Sequence, residues 1–191
     1  MRCVQRDGDP AAFAKLVARW ESPIHRLCVR MLLDEHRAED LAQETFARVF
    51  ANRASFDPER RFSTWMWRIA INLCNEERRR RQTRGEVGAL DDGPHRDEAL
   101  HDPAAAASRA ERADLVRLAL KRLPEEHRAV VVLREYEQLK FREIAEVLDV
   151  PEGTVKWRMR EALTMLAAQL EPLANDIDTK RDTIGQVRLS S

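Results

Sequence analysis

The sequence predicts an all-α protein: two small helical domains joined by a flexible acidic linker. Three observations carry this. Of 191 residues, 35% are charged and only 6% are aromatic, with six glycines and one tyrosine, too few turn and strand formers for a sandwich or barrel. Apolar residues recur at spacings of three and four in both halves. Between the halves, residues 82–108 carry Gly85, Gly88, Gly93, Pro94 and Pro103 and no apolar stripe, which marks a linker. The expected boundaries are 9–81 for the first domain, 109–170 for the second and 171–191 for a polar tail. As a coil the linker spans roughly 30 Å.

The first element opens at Asp9-Pro10, an N-cap followed by proline at the first helical position. Phe13, Leu16, Val17, Trp20, Ile24, Leu27, Cys28 and Met31 then form one helical face. Pro23 is expected to kink or split this helix. A polar turn over Asp34 to Arg37 precedes a second helix, predicted over Glu39–Ala51. Its buried side is Leu41, Thr45, Phe46, Val49 and Phe50, and its polar side is Asp40, Gln43, Glu44 and Ala47. A solvated face accounts for that polar stripe. Ser63 is expected to cap a third helix ending in Arg78–Arg81, with Met66, Ile69, Ala70 and Leu73 inward. Trp65, Arg68, Asn72, Asn75 and Arg79 line the opposite side. An aromatic, two amides and arginines suit base stacking, base-edge hydrogen bonds and phosphate contact, although an ordinary amphipathic face has the same pattern.

In the second half, Leu115, Val116, Ala119, Leu120 and Leu123 make an apolar face. Pro124 starts a helix with Ala129, Val132, Leu133 and Tyr136 inward. Two short helices follow over Phe141 to Lys156 and beyond, joined by a tight turn, which is the pattern of a helix-turn-helix. Ile144, Leu148, Val150 and Val155 fill the crevice, and Ala145 is small where the helices cross. The second helix turns Val155, Met159, Ala162 and Leu166 inward, and Lys156, Trp157, Arg160, Glu161 and Thr164 outward. The start of such a helix enters the major groove.

Charge is uneven although the net charge is zero. Residues 1–81 hold 16 basic and 12 acidic residues, and residues 82–108 hold two and six. A protein that grips DNA alone usually has a clear basic excess, so DNA binding here is expected to be weak alone or to draw its affinity from a partner. The asymmetry also predicts that the acidic linker screens Arg78–Arg81 in the free protein. No apolar run approaches the ~20 residues of a membrane span, and Met1 to Pro10 lack a signal-peptide core, so the expected location is cytoplasmic. Cys3, Cys28 and Cys74 give neither a disulfide framework nor a metal pair. The five histidines show no ligand spacing. No catalytic triad, metal cluster or phosphate loop is present, so neither an enzyme nor a cofactor is expected.

These residues resemble a known family, the bacterial sigma factors of the extracytoplasmic-function (ECF) group. Ala38 to Phe46 (Ala-Glu-Asp-Leu-Ala-Gln-Glu-Thr-Phe) is similar to the family's region 2.2. Arg61 to Leu73 with Arg78–Arg81 is similar to regions 2.3 and 2.4, and Leu123-Pro-Glu-Glu with Phe141 to Lys156 to region 4. The resemblance implies transcription initiation without covalent chemistry. Asp40, Gln43 and Glu44 would dock on the β′ clamp helices of core RNA polymerase, and the second domain on the β flap. Trp65, Arg68, Asn72, Asn75 and Arg79, with the loop 52–61, would melt and hold the −10 element of promoter DNA. Thr154, Lys156, Trp157, Arg158 and Arg160 would lie at the −35 element, with Arg142 on flanking phosphates. An anti-sigma factor is the expected regulatory partner.

The chain departs from the family pattern at several positions. Trp157 stands where a small serine-like residue is common. Lys140 replaces a serine cap, and Asp149 replaces a turn glycine, a place aspartate tolerates. Glu161, Leu163 and Thr164 occupy commonly basic positions, predicting a shallower salt dependence of −35 binding. Two other readings remain open on the residues alone: a dimeric helix-turn-helix regulator, and a degenerate sigma that sequesters polymerase or an anti-sigma partner.

Overall fold

The structure, a computed structural model, describes residues 1, 4–5, 8–85 and 103–188, with side chains over 1, 4–5, 8–85 and 112–171. The described residues form helices and turns only. Helix α1 is Pro10–Leu32, α2 is Glu35–Ala51 and α3 is Phe62–Arg84, with a 3-10 turn at Arg53–Ser55 before α3. Helix α4 is Pro103–Arg122, α5 is Glu125–Val131 continued by a π turn over Val132–Tyr136, α6 is Phe141–Leu148 and α7 is Glu152–Arg188. Helix therefore takes over both ends of the linker segment. Its middle, including the acidic residues expected to screen Arg78–Arg81, lies outside the described residues. Helix α7 also continues past residue 170, through what the sequence suggests is a tail.

The N-terminal half is a three-helix bundle. Asp9 caps α1 by accepting from the Ala11 and Ala12 amides at 2.9 and 3.3 Å, as its sequence predicts. Pro23 lies inside α1 without splitting it. Flanking turns keep the helix going, and Trp20 just before the proline packs edge-on to Trp67 of α3, with ring centroids 5.7 Å apart.

The turn after α1 is shorter than expected. Leu33 adopts a left-handed conformation (φ 60°), and its amide returns to the Val29 carbonyl at 2.7 Å. Asp34 then caps α2, accepting from the Arg37 amide at 2.8 Å. Helix α2 consequently starts at Glu35, within the stretch read as a polar turn. A left-handed leucine costs roughly 1–2 kcal/mol. Burial of its side chain in the bundle offsets that cost.

Ser63 is not the cap of α3. The helix begins at Phe62, and Arg61 precedes it without a capping side chain. The aromatic cluster sets this start: Phe62 packs on Phe56 at 5.7 Å and on Trp65 at 6.0 Å. Helix α3 buries a wide stripe, Met66, Trp67, Ala70, Ile71, Leu73 and Cys74, while Ile69 is only half-buried. Cys28 and Cys74 are buried free thiols. Contact with Cys28, together with burial, pushes the Cys74 thiol up, so it stays protonated and unreactive.

The C-terminal half packs α5, α6 and α7 around Leu133, Ile144, Val147, Val155, Met159 and Ala162. Asp149 makes the α6–α7 turn in the left-handed region (φ 56°), as the sequence reading requires. Two apolar assignments fail. Val116 is 37% exposed and Tyr136 is 39% exposed; the Tyr136 ring leaves the core and is covered on one face by the Arg30 guanidinium, 4.1 Å from its centroid.

The two halves share one continuous buried core. Arg128 marks the seam. It is 2% exposed, and its guanidinium donates to the carbonyls of Leu120 (2.8 Å), Lys121 (2.5 Å) and Leu123 (3.1 Å) at the end of α4. It also donates to Met31 near the end of α1 at 2.8 Å. One side chain thus satisfies terminal carbonyls of two helices. Burial pulls its pKa down to about 9, which still leaves it protonated at neutral pH.

Candidate protein and nucleic-acid interfaces

Asp40, Gln43 and Glu44 are exposed on one face of α2. Their backbone is held from behind by Leu41, Ala42, Thr45 and Phe46, all buried. The two carboxylates are held in place by arginines. Arg37 donates to Asp40 at 2.8 Å and, through Nε and Nη2, to both oxygens of Glu77 on α3 at 2.9 and 3.0 Å. Arg48 bonds Glu44 at 3.0 Å and Glu76 on α3 at 3.2 Å. Each arginine ties an exposed acid to α3, so the face is ordered before any partner arrives. A groove of about 880 Å3 runs beside it between α1 and α2, lined by Val17, Glu21, His25, Glu39, Gln43 and Phe46. The i,i+3 and i,i+4 pairs were readable from sequence; Glu76 and Glu77 as their anchors were not, because those contacts cross between helices.

The α3 stripe is less uniform than its spacing suggests. Asn72 and Arg79 are exposed. Trp65 is half-buried, tilted against Phe56 with centroids 5.2 Å apart. Asn75 is half-buried, with its Oδ1 enclosed and lacking a protein partner. Arg68 is half-buried and faces α6, donating to the Glu146 carbonyl. The run Arg78–Arg81 divides in two. Arg78 pairs with Glu125 of α5 at 3.1 Å, and Arg81 with Asp34 at 2.7 Å and Glu77 at 3.2 Å. Arg79 and Arg80 remain exposed.

The helix-turn-helix is α6 followed by α7. Thr154 closes the first turn of α7, its amide donating to Pro151 at 2.9 Å. Lys156, Trp157 and Arg160 project outward together. Lys156 is braced by Glu152 at 2.7 Å. Trp157 is 51% exposed and leans edge-on to His127, centroids 5.7 Å apart. Arg158 does not join this group; its side chain turns back to Glu126 of α5. Arg142 is exposed on α6 beside Glu146 at 3.5 Å. Lys140 has no acceptor to offer the α6 start, so only the reciprocal half of a capping box forms, from the Lys140 amide to Glu143 at 2.9 Å.

Among the described residues no group of His, Cys, Asp or Glu is arranged to hold a metal ion, and no helix is long and apolar enough to cross a membrane.

The chain matches the family models "Sigma-70 region 2" over residues 16–84 and "Sigma-70, region 4" over residues 113–166. It is 36% identical to the ECF RNA polymerase sigma factor SigW of Bacillus subtilis over 175 residues, covering 88% of this chain and 94% of that protein. It is 35% identical to the RNA polymerase sigma-H factor of Pseudomonas aeruginosa over 180 residues, covering 91% and 93%. Among solved structures, CnrH in complex with the cytosolic domain of CnrY superposes with a TM-score of 0.63 at 27% identity, covering 86% of this chain and 91% of CnrH. The sigma factor RpoE of Bartonella quintana, in complex with the anti-sigma factor NepR, shares the fold with a TM-score of 0.66 at 19% identity, covering 84% and 97%. With both family regions present in order and relatives matched over nearly their full length, the chain belongs to the ECF sigma factors of the RNA polymerase sigma-70 family, transcription initiation factors that are not enzymes.

Proposed function

We propose that this sigma factor binds core RNA polymerase, recognises −35 and −10 promoter elements with its two halves, and promotes promoter melting. One observation carries the reading. A single chain of this family exposes Lys156, Trp157 and Arg160 together on a helix-turn-helix and Asn72 with Arg79 on α3. Arginine and amides read base edges and phosphates. Trp65, supported by Phe56, offers a ring on which an unpaired base stacks; a base held out of the duplex costs a few kcal/mol of stacking, offset by such contacts.

Asp40, Gln43 and Glu44 dock on the β′ clamp helices, with the neighbouring groove extending the surface, and the second domain sits on the β flap. Zero net charge fits this division, because polymerase supplies affinity that free sigma lacks. An anti-sigma partner belongs to the same reading: CnrH, 27% identical, was solved with the cytosolic domain of CnrY.

The test is run-off transcription with core polymerase, this protein and fragmented genomic DNA of its host. Specific transcripts are expected, and Gln43→Ala with Glu44→Ala should abolish them. Polymerase binding without transcripts would favour a sequestering protein. No polymerase binding would favour a simple DNA-binding regulator.

A further inference from the structure

The residues before Asp9 lie outside the first domain as the sequence delimits it, yet they are built into it. Val4 is 1% exposed. The Gln5 amide donates to the Met1 carbonyl at 2.9 Å, and the Gly8 amide to the Val4 carbonyl at 3.1 Å. Gly8 takes the left-handed conformation (φ 61°), which glycine adopts without the penalty a side chain brings. The chain then turns straight into the Asp9 cap of α1. Gln5 is therefore fixed from both sides, by a buried neighbour and by the start of α1.

What Gln5 holds is the loop between α2 and α3. Its side-chain amide donates to the Phe56 carbonyl at 2.7 Å and reaches the Ala54 carbonyl at 3.4 Å. Bonds within the loop are short-range: the Ser55 amide returns to Asn52 at 2.9 Å, Phe56 to Arg53 at 3.3 Å, and Glu59 to the Asp57 carboxylate at 3.0 Å. Gln5 acts from 51 residues away, so it ties the loop to the body of the domain. Gly8 adds a second contact. A methyl group placed on it would sit 3.8 Å from Arg53 Nη2. Arg53 in turn covers the Phe50 ring at 4.3 Å and donates to the Phe50 carbonyl at 2.8 Å, in the last turn of α2.

Phe56 links this contact to the nucleic-acid surface. Its ring is buried and meets Phe62 at 5.7 Å and Trp65 at 5.2 Å. A shift of the Phe56 main chain moves the ring on which Trp65 leans. A stacking platform set before the strand arrives spares the complex the cost of ordering it.

We propose that Val4, Gln5 and Gly8 form a strap that positions the surface for the −10 strand: Val4 anchors it, and Gln5, through the Phe56 carbonyl, sets the loop 52–61 and Trp65. This rests on the reading of Trp65 and that loop as the −10 surface. Gln5 is a positioning residue. It touches the loop main chain, while the strand meets Trp65 and the loop.

The test compares the parent with Gln5→Met, which keeps the length of the side chain and removes its donor. Hydrogen exchange is followed in the free chain. Holoenzyme assembled with core polymerase is then offered two pools of random-sequence DNA, single-stranded dodecamers and duplexes, and the bound fractions are sequenced.

In Gln5→Met, exchange over residues 53–61 should accelerate about fivefold, the scale of one lost hydrogen bond, with the interiors of α1 and α2 unchanged. Enrichment of the motif that the parent selects from the single-stranded pool should fall about fivefold, with selection from the duplex pool unaltered. Unchanged exchange over 53–61 overturns the strap, as does equal acceleration in α1 and α2, which marks a general loss of stability. A looser loop with undiminished strand selection overturns the positioning role. If the parent itself selects no single-strand motif, the reading of Trp65 and the loop is what fails, and the positioning role falls with it.

Discussion

Glu77 shows how a single side chain organises the N-terminal half. It is 6% exposed and receives Arg37 and Arg81 together. Hydrogen bonding from Arg37, aided by Arg81, holds its carboxyl below the usual range against the effect of burial. Burial pushes Asp34 up, but the Arg37 amide and Arg81 outweigh it and leave its pKa lowered too. Carboxyls depressed on folding contribute stability that is complete above their unfolded pKa and lost as pH falls through the folded one. Stability should therefore decline from about pH 5 downward. Glu77→Gln should cost about 1–2 kcal/mol at neutral pH, since it removes a charged acceptor shared by two arginines that stay paired with Asp40 and Asp34, and should flatten that acid-side decline; urea denaturation at a series of pH values checks both. Asn72 and Trp65 offer a contrasting pair. Asn72→Ala touches an exposed side chain and should reduce promoter opening, followed by permanganate reactivity, without shifting Tm. Trp65→Ala should reduce opening and also destabilise by about 2–3 kcal/mol, because it empties the space beside Phe56 and Phe62.

At the scale of elements, α6 carries a correctable flaw. Lys140 cannot accept from the third amide of the helix, whereas serine can. Lys140→Ser should stabilise by about 1 kcal/mol, raising Tm by roughly 2–4 °C for a chain of this size, as calorimetry would show. The helices themselves were legible from spacing and caps: Asp9-Pro10 and the helix-turn-helix stand where the pattern places them. What spacing missed has local physical causes. The α2 start moved from near Glu39 to Glu35, because Asp34 caps it directly once Leu33 makes the turn. Ser63 yielded to Phe62, because aromatic packing outweighed a serine cap. The outward stripe of α3 was readable as a row, but Arg68 and Asn75 are half-buried because a second domain rests against that helix.

For the whole molecule, the shared core and Arg128 make the halves interdependent. Arg128→Met leaves the carbonyls of Leu120, Lys121, Leu123 and Met31 without their donor and should cost about 3 kcal/mol. It should also split a single unfolding transition into two, with tryptophan signals from Trp20 and Trp67 separating from that of Trp157. The salt dependence of promoter binding should be shallow at the −35 end, since Arg158 is engaged by Glu126 and Glu161, Leu163 and Thr164 add no cation. Footprinting the holoenzyme across a salt series would measure it.

Sequence by itself determined the fold class, the order of the helices, the family and the three polar surfaces. These follow from periodicity, capping and motif spacing, all local along the chain. Tertiary structure decided which charged residues are available. Arg78 and Arg81 read as members of one basic run, yet both are consumed by carboxylates from α5, from α3 itself and from the turn before α2. Arg128, an ordinary surface residue by composition, became the buried seam. Such outcomes depend on which elements meet in space, and a charge pairs with whatever folding brings within a few ångströms of it.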